Sequence, residues 1–308
     1  MNTPDDVSRV SVQPSTAPAW VRDAVVAGGG VLSEPGDARA VVWADARDPQ
    51  SLGRLLGENP GIEWVQVPFA GVENFVPIVD GTRTWTCGKG VYAEPVAEHA
   101  LGLALAGMRS IGGYSRRDKW SGPSGRNLLG ARVTILGGGG ITESLLRLLR
   151  PWGCHVTVVR RNVQEMQGAD DVVGTANLVD ALAGADLVVL ALSLTPETRG
   201  IIGRPELEVM EKHAWIVNVA RGGHIVTDDL VRALENGDIG GAALDVTEPE
   251  PLPEGHPLWS LPNCIITPHV GNTPEMAVPL LGERIRENVS RWVSGRPLIG
   301  LIDPHAGY

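Results

Sequence analysis

Three residue types that could act together on a carbonyl group stand at the ends of apolar runs in the second half of the chain. Arg221 follows one such run, Asp245 closes the next, and His269 comes just after a third. Because the carboxyl ends of parallel strands form the ligand-binding edge of an open α/β sheet, we expect these side chains to lie near one another. A guanidinium can hold a carboxylate and polarise a keto oxygen, and an imidazolium can donate a proton to that oxygen. The set suits the reduction of a 2-keto acid.

A carboxylate beside His269 would stabilise the charged imidazolium that proton donation requires. The proline-rich loop that follows Asp245 contains two acids, Glu248 and Glu250. Each residue also has a simpler interpretation when it is taken alone: Arg221 as a surface arginine, Glu250 as a solvated acid, and His269 as a structural histidine. Their joint position at strand ends favours the chemical interpretation.

A glycine-rich turn lies upstream, between the apolar run 133–136 and a predicted helix. Such a turn lets backbone amides approach a pyrophosphate, which then lies at the positive end of the helix. Gly137 and Gly139 fit the dinucleotide-binding fingerprint, but Thr142 stands where its third glycine is expected. Either the helix lies slightly further from the strand or Thr142 donates a hydrogen bond. The alternative, a turn that binds nothing, stays open on this motif alone.

Two arginines, Arg160 and Arg161, follow the next predicted strand, residues 155–159. An acid at this point would bind the adenine-ribose hydroxyls of NAD and repel a 2′-phosphate, whereas guanidinium groups pair with a phosphate. The pattern favours NADP(H) over NAD(H). The alternative interpretation is a pair of surface arginines at the end of a strand.

The elements that must position these residues alternate between strand and helix from residue 133 onward, which predicts a doubly wound parallel sheet. Upstream, short strands at 41–44 and 62–68 flank a helix at 51–57, as in a small α/β layer domain. A mostly apolar helix is predicted at 95–109, and the near absence of charge on it indicates burial between domains or subunits. A last helix, 275–293, is expected to return to the first domain.

Several segments together resemble the family of D-isomer-specific 2-hydroxyacid dehydrogenases, which includes phosphoglycerate dehydrogenases, glyoxylate/hydroxypyruvate reductases and formate dehydrogenases. The matching segments are the glycine turn and residues 70–74, 96–101, 194–200, 218–223, 241–251 and 262–269. The resemblance implies an α/β protein in which residues 95–273 form a Rossmann-type cofactor domain. Residues 1–94 and 274–308 would form a smaller, flavodoxin-like substrate domain.

The resemblance also assigns roles to individual residues. It implies a catalytic triad of Arg221, Glu250 and His269, with Glu250 preferred over Glu248 because it stands five residues after Asp245 and directly before a proline. The substrate carboxylate would be bound by the backbone of Ala70, Gly71 and Val72 and by Arg221. The implied cofactor-binding residues are Gly137, Gly139, Gly140, Ile141, Arg160, Arg161, Thr195, Ala220, Asp245 and His269. Tyr92 and Ser193 depart from the asparagine and proline that the family often has.

Family members usually form homodimers through the cofactor domain, which fits the apolar helix at 95–109 and the loop that carries Trp120. The formal net charge of −10 argues against nucleic acid or an anionic membrane as the main partner. The three cysteines are widely spaced and predict neither a disulfide framework nor a metal site. The first residues lack the pattern of a signal peptide, and no apolar run approaches the length of a membrane span, so a cytoplasmic location is expected.

These observations predict an NAD(P)H-dependent reductase of small 2-keto acids, of the glyoxylate, hydroxypyruvate or phosphoglycerate type. One alternative is a nicotinamide-nucleotide-sensing binding protein of the same fold, similar to a corepressor and without significant turnover. A second alternative is a methyltransferase that binds S-adenosylmethionine at the glycine turn, but it leaves Arg221, Glu250 and His269 without a role.

Overall fold

The computed structural model describes residues 7–303 and divides the chain into two compact units. One unit combines Met1–Tyr92 with Thr273–Tyr308, and the other is the continuous segment Ala93–Asn272. The predicted domain boundaries, after residues 94 and 273, lie close to these crossings.

The first unit is built on a parallel sheet of five short strands in the order β2-β1-β3-β4-β5. The central strand β3 is buried along its whole length, which explains its uninterrupted apolar sequence. Two of the five strands, β3 and β4, were predicted from the sequence. The elements are β1 (Arg9–Gln13), α1 (Ala19–Ala27), β2 (Val31–Leu32), β3 (Ala40–Trp43), α2 (Pro49–Glu58), β4 (Trp64–Gln66) and β5 (Thr84–Thr86).

The second unit contains a parallel sheet of seven strands in the order β12-β11-β10-β9-β6-β7-β8, which confirms the predicted α/β fold class. Strands β6 to β8 extend the sheet in one direction and strands β9 to β12 extend it in the other. The strand order therefore reverses between β6 and β9, which are neighbours in the sheet. The strands are β6 (Arg132–Leu136), β7 (His155–Val159), β8 (Asp171–Val173), β9 (Leu187–Leu190), β10 (Trp215–Asn218), β11 (Gly241–Leu244) and β12 (Cys264–Ile266). The helices are α3 (Ala93–Met108), α4 (Ile111–Tyr114), α5 (Gly140–Leu149), α6 (Leu178–Leu182), α7 (Arg204–Val209) and α8 (Thr227–Asn236).

Helix α3 packs one face against α5 and β10. The buried face consists of small and medium apolar residues, and Gly107 lies so close to the ring of Trp215 that a side chain there would overlap with it. The opposite face is more open, with Glu98 and Gly102 exposed to solvent in this chain. The predicted helix is therefore present, but only one of its faces is buried within the second unit.

The last helix, α9 (Pro274–Val293), belongs to the first unit, where it packs on α1. Its Asn288 is fully buried and donates to the side-chain oxygen of Gln66 (2.8 Å) and to the carbonyl of Ile299 (2.9 Å). One turn later, the ring of Trp292 lies 5.6 Å from that of Trp64. Helix α9 therefore packs into the same core as strand β4 of the first unit.

All three cysteines are free, and burial raises the pKa of the Cys264 thiol to about 12. Within residues 7–303, no helix has the length and apolar character that crossing a membrane requires.

Candidate active site

Three neighbouring strands of the second unit carry the predicted chemistry at their carboxyl ends. Arg221 follows β10, Asp245 follows β11 and His269 follows β12, and these strands pair directly with one another. The sheet therefore brings the ends of three separate sequence segments to the same edge, as the spacing predicts.

Glu250 and His269 form an ion pair, with Oε1 of the carboxylate 2.6 Å from Nδ1 of the imidazole. Glu248, the alternative acid, instead lies 3.9 Å from Nη1 of Arg199. With Nδ1 held by the carboxylate, Nε2 of His269 is the nitrogen that can exchange a proton with a ligand. Since the His269 side chain is 51% exposed and the Glu250 side chain 42% exposed, the pair is accessible to a small molecule.

The backbone of His269 adopts a left-handed conformation, with φ +53°, which is uncommon for a residue other than glycine. Asp245 holds the loop in this shape. Its carbonyl accepts the His269 amide (2.8 Å), and its carboxylate accepts the amides of Val270 (2.9 Å) and Gly271 (2.9 Å). The hydroxyl of Thr267 also donates to that carboxylate, at 2.6 Å. The loop that presents the histidine is therefore folded around one acid.

Asp245 is 4% exposed and stays ionised in this setting. Burial alone would raise its pKa, but hydrogen bonds from His99, Thr267 and the two backbone amides outweigh burial and lower the pKa to about 2. His99, on α3, reaches both Asp245 Oδ1 (3.2 Å) and Thr267 Oγ1 (3.0 Å). His99 lies within the matching segment 96–101 but has no role that the sequence alone predicts, because its contact with Asp245 spans almost half of the chain.

Arg221 lies between the end of β10 and a short 3₁₀ helix, Gly222–His224, and directly precedes that helix. Its guanidinium Nη1 donates to the carbonyl of Ala220, at 2.7 Å. A side chain at Gly222 would overlap with the backbone of Thr247, so glycine is required where the two loops meet.

The glycine turn after β6 lies where the strand order changes direction, next to the end of β9. Gly137 has φ +107°, and a side chain at this position would overlap with the carbonyl of Ala191. Thr142 is fully buried and its hydroxyl donates to the carbonyl of Gly137, at 2.9 Å. Of the two outcomes considered for Thr142, the structure shows the hydrogen bond.

The start of α5 has the features of a phosphate site. Gly139 caps the helix without a side-chain hydrogen bond, so the amides of Gly140 and Ile141 at the first turn are left for an anion. No side chain contacts a Cβ placed on Gly139, so a ligand could approach its backbone closely. The residues therefore fit a pyrophosphate group.

The remaining predicted cofactor residues surround the same edge. Arg160 follows β7, and its Nε would lie 2.7 Å from a Cβ placed on Gly138, so its side chain crosses the glycine turn. Arg161 is exposed beside it. Thr195 lies in the loop after β9, where its amide donates to the Thr198 hydroxyl (2.8 Å), and Ala220 is buried after β10.

In the first unit, the loop Ala70–Val72 follows β4. The amides of Ala70, Gly71 and Val72 donate to no acceptor within residues 7–303, so they can bind a carboxylate. Tyr92 supports this loop through a hydrogen bond from its hydroxyl to the carbonyl of Pro68 (3.1 Å) and an edge contact with Phe69.

Comparison with known proteins gives the family that the chain matches. Residues 101–271 match the model of the D-isomer specific 2-hydroxyacid dehydrogenase NAD binding domain. The chain is 31% identical over 295 residues to glyoxylate/hydroxypyruvate reductase A of Serratia proteamaculans, covering 89% of this chain and 90% of the relative.

Two solved structures are similar over nearly the whole length. One is a D-isomer specific 2-hydroxyacid dehydrogenase from Xanthobacter autotrophicus Py2 in complex with NADPH and MES, with TM-score 0.84, 26% identity and coverage of 97% of this chain and 99% of the other. The second is an NADPH-dependent glyoxylate/hydroxypyruvate reductase from Sinorhizobium meliloti in complex with NADP and sulfate, with TM-score 0.80, 26% identity and the same coverage.

Proposed function

Because the chain belongs to the D-isomer-specific 2-hydroxyacid dehydrogenase family, we propose that it reduces a small 2-keto acid to the D-2-hydroxy acid. Glyoxylate and hydroxypyruvate are the preferred substrates in this proposal, since the relatives that it resembles over most of its length are named for them. The observation that carries it is the Glu250–His269 ion pair on the same sheet edge as Arg221.

Each residue has a distinct task in the proposed reaction. Arg221 binds the carboxylate and keto oxygen of the substrate through its fork of donors. His269 donates the proton on Nε2 to the keto oxygen, and Glu250 stabilises the imidazolium before the transfer. The nicotinamide cofactor, when bound, supplies the hydride that arrives at the carbonyl carbon.

We further propose that the cofactor is NADPH in preference to NADH. Arg160 supports this because its side chain crosses the glycine turn and has no acidic partner within residues 7–303. A 2′-phosphate placed at the end of β7 would pair with such a guanidinium, whereas no acid follows the strand to bind a free ribose hydroxyl.

A homodimer formed through the second unit completes the proposal. Large apolar side chains that follow α3 are exposed in the single chain: Ile111 (54%), Trp120 (fully) and Leu129 (66%). Exposed apolar groups of this size within one short segment are typical of protein interfaces.

The test is a panel of 2-keto acids, including glyoxylate, hydroxypyruvate and a phosphorylated hydroxy acid in the reverse direction, followed at the nicotinamide absorbance band. Each substrate is run with NADH and with NADPH, using the wild type and Arg160→Ala. We expect turnover with NADPH, and a rise in KM for NADPH but not NADH in the variant. Tight nucleotide binding with no turnover on any acid would instead support a nucleotide-sensing protein, and a strong preference for NADH would remove the role given to Arg160.

A further inference from the structure

His224 is a buried titratable side chain that the proposed reaction does not use. It lies at the end of the 3₁₀ turn Gly222–His224, three residues after Arg221, and none of its surface is exposed. Its Nδ1 lies 2.9 Å from the carbonyl oxygen of Arg221. Because a carbonyl oxygen can only accept, Nδ1 carries the proton and donates. Burial lowers the pKa of His224, which favours the neutral ring in this role.

The same carbonyl oxygen has a second side-chain donor. Asn218, the last residue of β10, is fully buried and donates from Nδ2 to the carbonyl of Arg221, at 2.9 Å. Its Oδ1 accepts the amide of Ala220, at 3.0 Å. The backbone amide of His224 also donates to this oxygen, at the longer distance of 3.3 Å. The two shorter hydrogen bonds come from one side chain before Arg221 and one after it, and together they hold the carbonyl in place.

The turn is also fixed by close packing. Gly222 and Gly223 are buried, and the backbone of Thr247 lies directly against Gly222. The backbone from which the Arg221 side chain extends is therefore held by Asn218, by His224 and by the neighbouring loop. A change in any one of these contacts would move the base of the side chain.

We propose that His224 is a positioning residue for Arg221, acting through the hydrogen bond from its Nδ1 to the Arg221 carbonyl. The inference rests on the proposed function, in which the Arg221 guanidinium binds the substrate. Loss of this donor leaves the Arg221 carbonyl with the Asn218 hydrogen bond and the longer one from the His224 amide, so the turn is held less firmly and can shift. A shift of the guanidinium misaligns the keto acid, which costs turnover because the reacting atoms must be held in line.

Three substitutions separate this role from simple packing. In His224→Asn, the side-chain amide can occupy the place of Nδ1 and keep the donor. In His224→Gln, the side-chain amide lies nearer the place of Nε2, so the hydrogen bond to the Arg221 carbonyl is lost. His224→Leu has no side-chain donor at all. We expect kcat/KM for the keto acid to fall about tenfold or more in the leucine and glutamine variants, through a lower kcat as well as a higher KM, and to be largely retained in the asparagine variant.

Three further measurements define the result. The Kd for NADPH, from fluorescence titration, should be unchanged in all three variants, and the melting temperature reports whether each has folded. Adding His224→Leu to Arg221→Ala should cause little further loss, since no guanidinium remains to be positioned. If the leucine variant does not fold, the comparison of asparagine with glutamine decides the question.

The inference and the proposed function fail in different ways. Equal activity of the asparagine and glutamine variants, or losses that multiply in the double variant, would overturn the positioning role while Arg221→Ala remains impaired. If Arg221→Ala itself reduces keto acids as well as the wild type, the proposed function is wrong and the role of His224 is lost with it.

Discussion

At the scale of single residues, the Glu250–His269 pair leads to the most direct prediction. Replacing His269 with alanine removes the proton donor, so kcat should fall by about 10²–10⁴-fold, while the Kd for NADPH stays near the wild-type value. Glu250→Gln should cause a smaller loss, because it keeps an acceptor for Nδ1 and removes only the charge. Steady-state kinetics and fluorescence titration check both statements. Unchanged turnover in His269→Ala would assign the proton transfer to another group.

The lowered pKa of Asp245 leads to a prediction about how stability depends on pH. Its pKa in the folded chain is about 2, below the ordinary value of 3.8, so the unfolded chain binds the proton more readily. Its contribution to stability, about 2 kcal/mol, is complete above about pH 4 and is lost as the pH falls toward 2. Urea denaturation from pH 5 to pH 3 should show a smaller decrease in the free energy of unfolding for Asp245→Asn than for the wild type. Parallel decreases in the two proteins would argue against this.

The same substitution tests what the acid does for catalysis. Asparagine presents an N–H to one of the backbone amides of Val270 and Gly271, so the loop that carries His269 should shift and kcat should fall at saturating NADPH. If only the KM for NADPH rises, Asp245 acts as a cofactor contact, as the family resemblance implies, and does not also shape the loop.

At the scale of helices and strands, Gly107 controls how closely α3 approaches β10. Gly107→Ala places a methyl group against the ring of Trp215 and should lower the free energy of unfolding by about 1–3 kcal/mol. Gly57, in α2, is the matched control: an added Cβ meets no atom within 4 Å, and alanine should be neutral or stabilising by up to about 1 kcal/mol. Chemical denaturation of both variants measures the difference. Equal stability of the two would show that α3 can move away from the sheet at little cost.

The helices and strands differ in how well the sequence predicts them. The run before the glycine turn and the buried run of β9 were located correctly, because strands covered on both faces are continuously apolar. Strands β1, β2, β5 and β8 were missed. The sequence of β1, RVSVQ, has a serine at its centre, and β2 has two exposed residues. Strands β5 and β8 are three residues long and lie at sheet edges. Their pairing depends on neighbours that no local pattern contains.

The residues of the candidate site, like the strands, were predictable from the sequence only in part. Residue type and position at a strand end were enough to select Arg221 and His269, whereas the contacts of His99 and His224 could not be anticipated. His99 meets an acid 146 positions away, and His224 follows a turn whose shape depends on the backbone of Thr247. Neither histidine has a sequence pattern that distinguishes it from an ordinary core residue.

At the scale of the whole molecule, the proposed dimer can be tested through one exposed leucine. Leu129→Asp places a charge in the exposed apolar segment and should weaken dimerisation by about tenfold or more. Val26→Asp is the matched control, since Val26 is also exposed (56%) but lies in the first unit. Light scattering after size-exclusion chromatography gives the mass of each. A monomeric wild type, or a Leu129→Asp variant as dimeric as the control, would place the interface elsewhere or remove it.

The path of the chain also has a consequence for synthesis on the ribosome. The first unit needs α9, which supplies Asn288 to Gln66 and Trp292 to the tryptophan of β4. The second unit is continuous and contains all of its own strands, so it can finish folding while the last segment is still in the exit tunnel. The strands that precede the second unit therefore wait for α9, and Gln66 and Trp64 stay unprotected until that helix has been synthesised. During this interval, the apolar strands of the first unit are exposed, and exposed strands of this kind are prone to aggregation.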